Sequence, residues 1–172
     1  PADINETLEC WEIALKSHNT PSVIALSRQK VPYINPNNSK ENKCENGAYV
    51  VNITSHESNV TLIASGTEVE LALNVQNELK ANNIHSKVVS MPCMELFDKQ
   101  SEKYKSDIIE EDSLVITLEA GSITHWHKYI KNKGLNLGIN QFGESAPYKE
   151  VYDHFNLTEN KITNLIQKKL RK

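Results

Sequence analysis

From residue 48 onward, short apolar runs alternate with stretches of helical periodicity, and this alternation limits the fold more than any other feature. Thr61-Leu62-Ile63-Ala64-Ser65 and Ser113-Leu114-Val115-Ile116-Thr117-Leu118 read as buried strands, and Lys87-Val88-Val89-Ser90-Met91 as a further strand. Ala48-Tyr49-Val50-Val51 and Leu135-Asn136-Leu137-Gly138-Ile139 read as shorter strands. After Gly66 a helix begins, with Thr67 as N-cap, Glu70 three residues on in a capping box, and Val69, Ala72, Leu73, Val75 and Leu79 on its apolar side. Further helices are expected near 100–107, 123–132, 147–155 and 158–171. Strand and helix in turn give βαβ units, so the predicted fold is α/β: about five strands in a mostly parallel sheet flanked by helices.

The first part of the chain is organised differently. Asp3 and Glu6 form a capping-box-like start to a helix over 3–17, and Ile4, Leu8, Trp11 and Leu15 recur at helical spacing as its predicted buried face. Ser22-Val23-Ile24-Ala25-Leu26-Ser27 is a predicted buried strand. Residues 34–47 carry Pro, Gly and Asn throughout with almost nothing to bury, and read as a linker or long exposed loop. One helix and one strand cannot make a core. Residues 1–33 therefore either dock on the domain after the linker or are the remnant of another domain, and a start at Pro1 rather than Met suggests a processed or cut product.

Composition removes several function classes. The formal net charge is −3 and no basic block stands out, which argues against nucleic acid or an anionic membrane as partner. No apolar run approaches the ~20 residues of a spanning helix. Cys10, Cys44 and Cys93 fit no C-x-x-C pattern and read as buried or incidental thiols of a reducing compartment. Asn-x-Ser/Thr triplets occur without a secretory signal, so a cytoplasmic location is expected.

Most candidate sites have a plain structural reading. The Ser65-Gly66-Thr67-Glu68 turn could hold an anion at a helix N-terminus, but Glu68 and Glu70 would repel phosphate there. His125 and His127 lie two apart, about 200° around a helix, and cannot share a metal. The remaining histidines are isolated. Ser145 lacks a nucleophile-elbow setting, and the Lys168–Lys172 end suits a helix C-terminus. Glu119, after a buried strand, reads as a capping or pairing group, with a functional carboxylate as the alternative. Arg28 follows the predicted strand 22–27, where a guanidinium could clasp phosphate through two parallel hydrogen bonds. Pattern alone leaves a structural salt bridge equally open.

Leu26-Ser27-Arg28-Gln29, Gly47-Ala48-Tyr49-Val50, Ala64-Ser65-Gly66-Thr67-Glu68-Val69, Val88-Val89-Ser90-Met91-Pro92, Phe97-Asp98-Lys99-Gln100, Glu119-Ala120-Gly121 and Phe142-Gly143-Glu144-Ser145-Ala146-Pro147 occur in this order. Together with Pro1-Ala2-Asp3, the series resembles the last quarter or so of a transketolase. The resemblance implies three parts: residues 1–33 as the tail of the pyrimidine-binding domain, 34–47 as the linker, and 48–172 as the C-terminal domain. It implies a parent enzyme of the pentose phosphate pathway that transfers a two-carbon ketol unit from a ketose phosphate to an aldose phosphate. Thiamine diphosphate and Mg2+ or Ca2+ would serve that parent, a homodimer, and neither would be held by this chain. The cofactor, metal and catalytic motifs fall upstream of Pro1, so the chain alone is expected to be inactive, with a structural, interface or regulatory role. Arg28, in the Ser-Arg-Gln motif, is implied to contact the sugar phosphate. Dihydroxyacetone synthase or another thiamine-diphosphate enzyme remains an alternative parent, and a stand-alone α/β interaction module an alternative of another class.

Overall fold

A computed structural model describes residues 1–34, 41–130 and 134–171. Among these, five strands form one sheet in the order β1-β3-β2-β4-β5: β1 Tyr49–Ile53, β2 Val60–Ala64, β3 Ser86–Ser90, β4 Leu114–Leu118 and β5 Leu135–Leu137. Strands β3, β2, β4 and β5 run parallel, while β1 pairs antiparallel with β3 at one edge. This is the expected α/β architecture.

Alternation along the central strands sends side chains into two cores. Val60, Leu62 and Ala64 of β2, with Leu114, Ile116 and Leu118 of β4, pack beneath α2 (Glu68–Ala81) and α6 (Glu159–Leu170). Ile63, Val89 and Val115 point the other way, onto Phe97 of α3 (Met94–Asp98), Ile108 of α4 (Glu102–Ile108), and Trp126 and Tyr129 of a 3-10 segment, Ile123–Tyr129. Helix α3 is one turn long with Phe97 as its buried residue, too short to show a helical period in the sequence. The helix expected over 123–132 is instead 3-10 through Tyr129, and residues 131 and 132 lie outside the described residues. Lys87 is buried within β3, where its ammonium meets Glu110 Oε1 at 2.6 Å and the Asp107 carbonyl at 3.2 Å.

Three expectations for the N-terminal part are corrected. Helix α1 (Ile4–Lys16) forms with Asp3 as N-cap, its carboxylate accepting from the Glu6 amide at 2.8 Å. Its predicted buried face, however, is exposed: Ile4, Leu8, Trp11 and Leu15 are 52–71% accessible. The opposite, acidic side turns inward. Glu6 is buried and accepts from the Ala2 amide at 2.7 Å, the Tyr49 hydroxyl at 2.8 Å and the Ser90 hydroxyl at 2.5 Å. Residues 22–27 join no strand of the sheet, and Val23 and Leu26 are exposed. A buried parallel strand needs hydrogen-bonding neighbours on both edges, and none of the five strands lies beside this segment.

The segment 34–47 is not uniformly solvent-facing either. Residues 35–40 of that expected linker lie outside the described residues, but Lys43–Asn46 forms a 3-10 turn with Cys44 buried against α1. Gly47 closes this turn at φ +79°, a left-handed conformation that favours glycine. A Cβ there would lie 2.2 Å from the Phe97 amide nitrogen and 2.3 Å from the Cys93 carbonyl.

Candidate functional site

The strand order places a topological switch between β2 and β4. The chain leaves β2 through α2 toward β3 on one side, whereas β4 leads to β5 on the other. Crevices of this kind, at the carboxyl ends of parallel strands, are where α/β sheets bind ligands. Here the crevice is lined by the turn after Ala64 and the turn after Leu118.

The first turn passes through Gly66 at φ +55° into Thr67 and Glu68. The predicted capping box does not form, because Thr67 already has helical dihedrals and its hydroxyl donates to Glu68 Oε1 at 2.6 Å instead of bonding the backbone. The Tyr152 hydroxyl, from α5 (Tyr148–His154), donates to the same Glu68 oxygen. Glu68 is thus buried with two hydroxyl donors on one oxygen. Across the crevice, Glu119 Oε2 accepts the Trp126 indole N–H at 3.0 Å. Burial pushes the Glu119 carboxyl above the usual carboxylate range; the indole bond offsets part of this, and the nearby Glu68 charge adds to it. Burial likewise raises the Tyr152 phenol, with the Glu68 charge contributing. Glu119 is therefore the pairing group at its turn that its position suggested, although its indole partner could not be read from spacing.

Beside these groups lies a cavity of about 380 Å³, bordered by Gln29, Lys30, Thr67, Glu70, Tyr148 and Tyr152 among others. Its wall mixes two lysines, Lys30 and Lys149, with the carboxylates of Glu70 and Glu159 and the two tyrosine rings. Tyr148 and Tyr152 meet edge to face at 6.1 Å. Arg28 lies at the bend just before the cavity-lining pair Gln29 and Lys30, and is exposed. The structure therefore brings the residues following Arg28 to the crevice side of the molecule, on a segment outside the sheet rather than at a strand end.

His125 and His127 are exposed on either side of buried Trp126, and His127 Nδ1 lies 3.1 Å from Asn136 Nδ2. Among the described residues no group of three or more His, Cys, Asp or Glu could hold a metal ion. Ser145 is exposed, and Lys168 and Lys169 sit in the last turn of α6. On the outer surface, Asp98 bonds Lys128 and accepts from the Tyr129 hydroxyl at 2.9 Å. Burial raises that phenol to about 12. One association carries no sequence signal: the turn Lys43–Asn46 is held on α1, where the Cys44 amide donates to Glu9 Oε2 at 3.0 Å and Asn42 Nδ2 donates to the Glu9 carbonyl at 3.0 Å. No spacing rule could have paired them.

Comparison with known proteins accords with this fold. The family pattern described as "Transketolase-like TK C-terminal domain" matches residues 47–158. Transketolase from Aquifex aeolicus is 38% identical over 171 residues, 98% of this chain and 25% of that protein. Transketolase from Sinorhizobium medicae is 40% identical over 163 residues, 94% of this chain and 23% of that protein. Among solved structures, the Pichia stipitis transketolase in complex with sedoheptulose 7-phosphate superposes with a TM-score of 0.90 at 31% identity, covering 99% of this chain and 24% of that one. The chain spans about a quarter of the length of the curated relatives it matches.

Proposed function

This chain belongs to the transketolase family, and from that premise we propose that it serves as the C-terminal part of an enzyme transferring a two-carbon ketol unit from a ketose phosphate to an aldose phosphate in the pentose phosphate pathway. The observation that carries the reading is identity of 38% held over 98% of the chain to a relative about four times its length. On this reading residues 1–33 close a pyrimidine-binding domain, 34–47 link, and 48–172 make the C-terminal domain of a cytoplasmic homodimer. The three unpaired cysteines suit a reducing compartment. The exposed apolar stripe of α1 suits packing against other parts of the enzyme.

Thiamine diphosphate and a divalent metal would supply the carbon–carbon chemistry of such an enzyme. The residues present do not fit either group. No metal-holding cluster occurs among the described residues, and Glu68 and Glu70 in the first turn of α2 would repel a diphosphate at that helix N-terminus. The roles left to this chain are phosphate recognition, docking and subunit contact. In the first of these, the Arg28 guanidinium pairs with the terminal phosphate of the sugar through two parallel charge-assisted hydrogen bonds. Its exposure at a bend supports this role, as does the sugar phosphate in the Pichia stipitis complex.

Two experiments test the proposal. A panel of ketose-phosphate donors offered to the intact enzyme should give ketol transfer to aldose phosphates; preference for a non-phosphorylated acceptor would redirect the assignment toward dihydroxyacetone synthase. The purified 172-residue chain, supplied with thiamine diphosphate and Mg2+, should stay at background. Turnover by that chain would contradict the role assigned to it.

A further inference from the structure

The sequence contains a single Asn-Gly pair, Asn46-Gly47, and the fold puts it at the end of the 3-10 turn Lys43–Asn46. In this dipeptide the asparagine side chain is open to attack by its own backbone. Glycine has no Cβ to obstruct its amide nitrogen as that nitrogen closes a five-membered ring on the asparagine carboxamide, and its dihedrals adapt readily to the ring. In an unfolded segment Asn46 is therefore the asparagine that loses its amide first.

The folded turn withholds each element of that reaction. The nucleophile is the Gly47 nitrogen, and its N–H donates to the Cys44 carbonyl at 2.9 Å within a buried backbone. The Gly47 carbonyl accepts from the Cys93 amide at 3.1 Å, so the residue is held through both of its polar groups. As the last residue of a 3-10 turn, Asn46 keeps the Gly47 nitrogen rotated away from its own carboxamide carbon. The turn is in turn fastened to α1. Asn42 Nδ2 donates to the Glu9 carbonyl at 3.0 Å and to Glu12 Oε2 at 2.9 Å. The Cys44 amide donates to Glu9 Oε2 at 3.0 Å, and Lys16 Nζ lies 3.5 Å from Glu45 Oε1.

We propose that Asn46 is a self-modification site gated by the docking of this turn: protected while the turn is closed on α1, and deamidated when it lifts. In the lifted state a solvent base takes the Gly47 amide proton, and the nitrogen attacks Asn46 Cγ. The Cγ–Nδ2 bond breaks, ammonia leaves with a proton from water, and a succinimide ring joins residues 46 and 47. Water then opens the ring at one of its two carbonyls. Cleavage at Cγ leaves an aspartate, and cleavage at the backbone carbonyl leaves an isoaspartate, whose main chain runs through Cγ and is one carbon longer. The closed turn has no room for that carbon. Even a Cβ at Gly47 would lie 2.2 Å from the Phe97 nitrogen and 2.3 Å from the Cys93 carbonyl oxygen. The longer link also carries the Gly47 N–H away from the Cys44 carbonyl. A transient opening is thereby made permanent, and the hold of the turn on α1 is weakened.

The test incubates the whole chain in mildly alkaline buffer, native and in urea, and follows residue 46 by peptide mass and by separation of aspartyl from isoaspartyl peptides. Each event adds about 1 Da. In urea Asn46 should be the first asparagine to react. In the native chain its rate should fall at least about tenfold, because reaction tracks the population of the opened turn. Glu9→Ala removes the acceptor of the Cys44 amide and should abolish most of that protection while circular dichroism shows the chain folded. Asn42→Ala, which removes two bonds between turn and helix, should do the same and serves if Glu9→Ala does not fold. The isoaspartyl chain should be cut by trypsin after Lys43 faster than the unmodified chain. Asn46→Asp, which adds the charge without the extra backbone carbon, should not be. Equal rates at residue 46 in buffer and urea, a folded variant that reacts no faster than wild type, or an isoaspartyl chain no easier to cut at Lys43 overturns the proposal.

Discussion

Glu6→Ala should loosen the attachment of α1 to the α/β body, and its size follows from the three donors that converge on this carboxylate. The Ala2 amide at 2.7 Å, the Tyr49 hydroxyl at 2.8 Å and the Ser90 hydroxyl at 2.5 Å all end on a buried side chain. A hydrogen bond to a charged group contributes about 1.5–3 kcal/mol net. Removing the carboxylate also relieves the cost of holding it out of water, several kcal/mol, so the three bonds do not simply add. The expected net loss is about 3–5 kcal/mol, the range for breaking one side of a buried charged network. For a chain of this size that lowers the melting temperature by roughly 6–20 °C. Glu6→Gln keeps one oxygen for the two hydroxyls but turns an NH2 group on the Ala2 amide, and should cost about 1.5–3 kcal/mol. Urea unfolding followed by circular dichroism measures both, and trypsin cleavage at Arg28 or Lys30 reports whether α1 is released. A double-mutant cycle with Tyr49→Phe should show coupling of about 1–3 kcal/mol. A Glu6→Ala loss below about 1 kcal/mol, with no coupling to Tyr49, would refute the idea that this polar network holds the helix.

Local geometry and charge set two further outcomes. Gly47→Ala should cost about 3 kcal/mol or more, because the left-handed backbone disfavours a side chain and the new Cβ would collide with Phe97 and Cys93 backbone; denaturation within 1 kcal/mol of wild type would count against that packing. Glu119 has a folded-state carboxyl raised by burial, so its contribution is fully present at acid pH and is lost as pH rises through and above the ordinary carboxylate range. Glu119→Gln, which can still accept from the Trp126 indole, should therefore gain stability relative to wild type between pH 4 and pH 7.5, and a difference that does not change over that interval would contradict the assigned burial.

The central sheet was legible because β2 and β4 are nearly continuous runs of apolar and β-branched residues, with Val88-Val89 marking β3 between them in sequence, and such runs are best covered by helices on both faces. Helix α1 was legible as a helix but not in its orientation. Its sequence carries two stripes at helical spacing, the apolar Ile4, Leu8, Trp11 and Leu15 and the acidic Glu6, Glu9 and Glu12. Periodicity groups residues by face, but it cannot say which face meets a partner. Tyr49, Ser90 and Cys44, which receive the acidic stripe, are known only from the tertiary fold. The same limit applies to residues 22–27, whose apolar composition predicts a strand although a strand exists only beside a neighbour. At the crevice, Thr67 and Glu119 were visible as turn residues. Their actual bonds, to Glu68 and Trp126, depend on how the Gly66 turn and the 3-10 segment direct those side chains.

The most direct test of the proposed function is the Arg28→Ala exchange in the intact enzyme, assayed with phosphorylated and non-phosphorylated sugars side by side. Loss of two charge-assisted hydrogen bonds to the terminal phosphate should lower kcat/KM for sugar phosphates by about 1.5–3 kcal/mol, roughly 10- to 150-fold. The non-phosphorylated sugars should be left nearly unchanged. An unchanged kcat/KM for the phosphates, or an equal loss for both classes, would contradict phosphate recognition at this position.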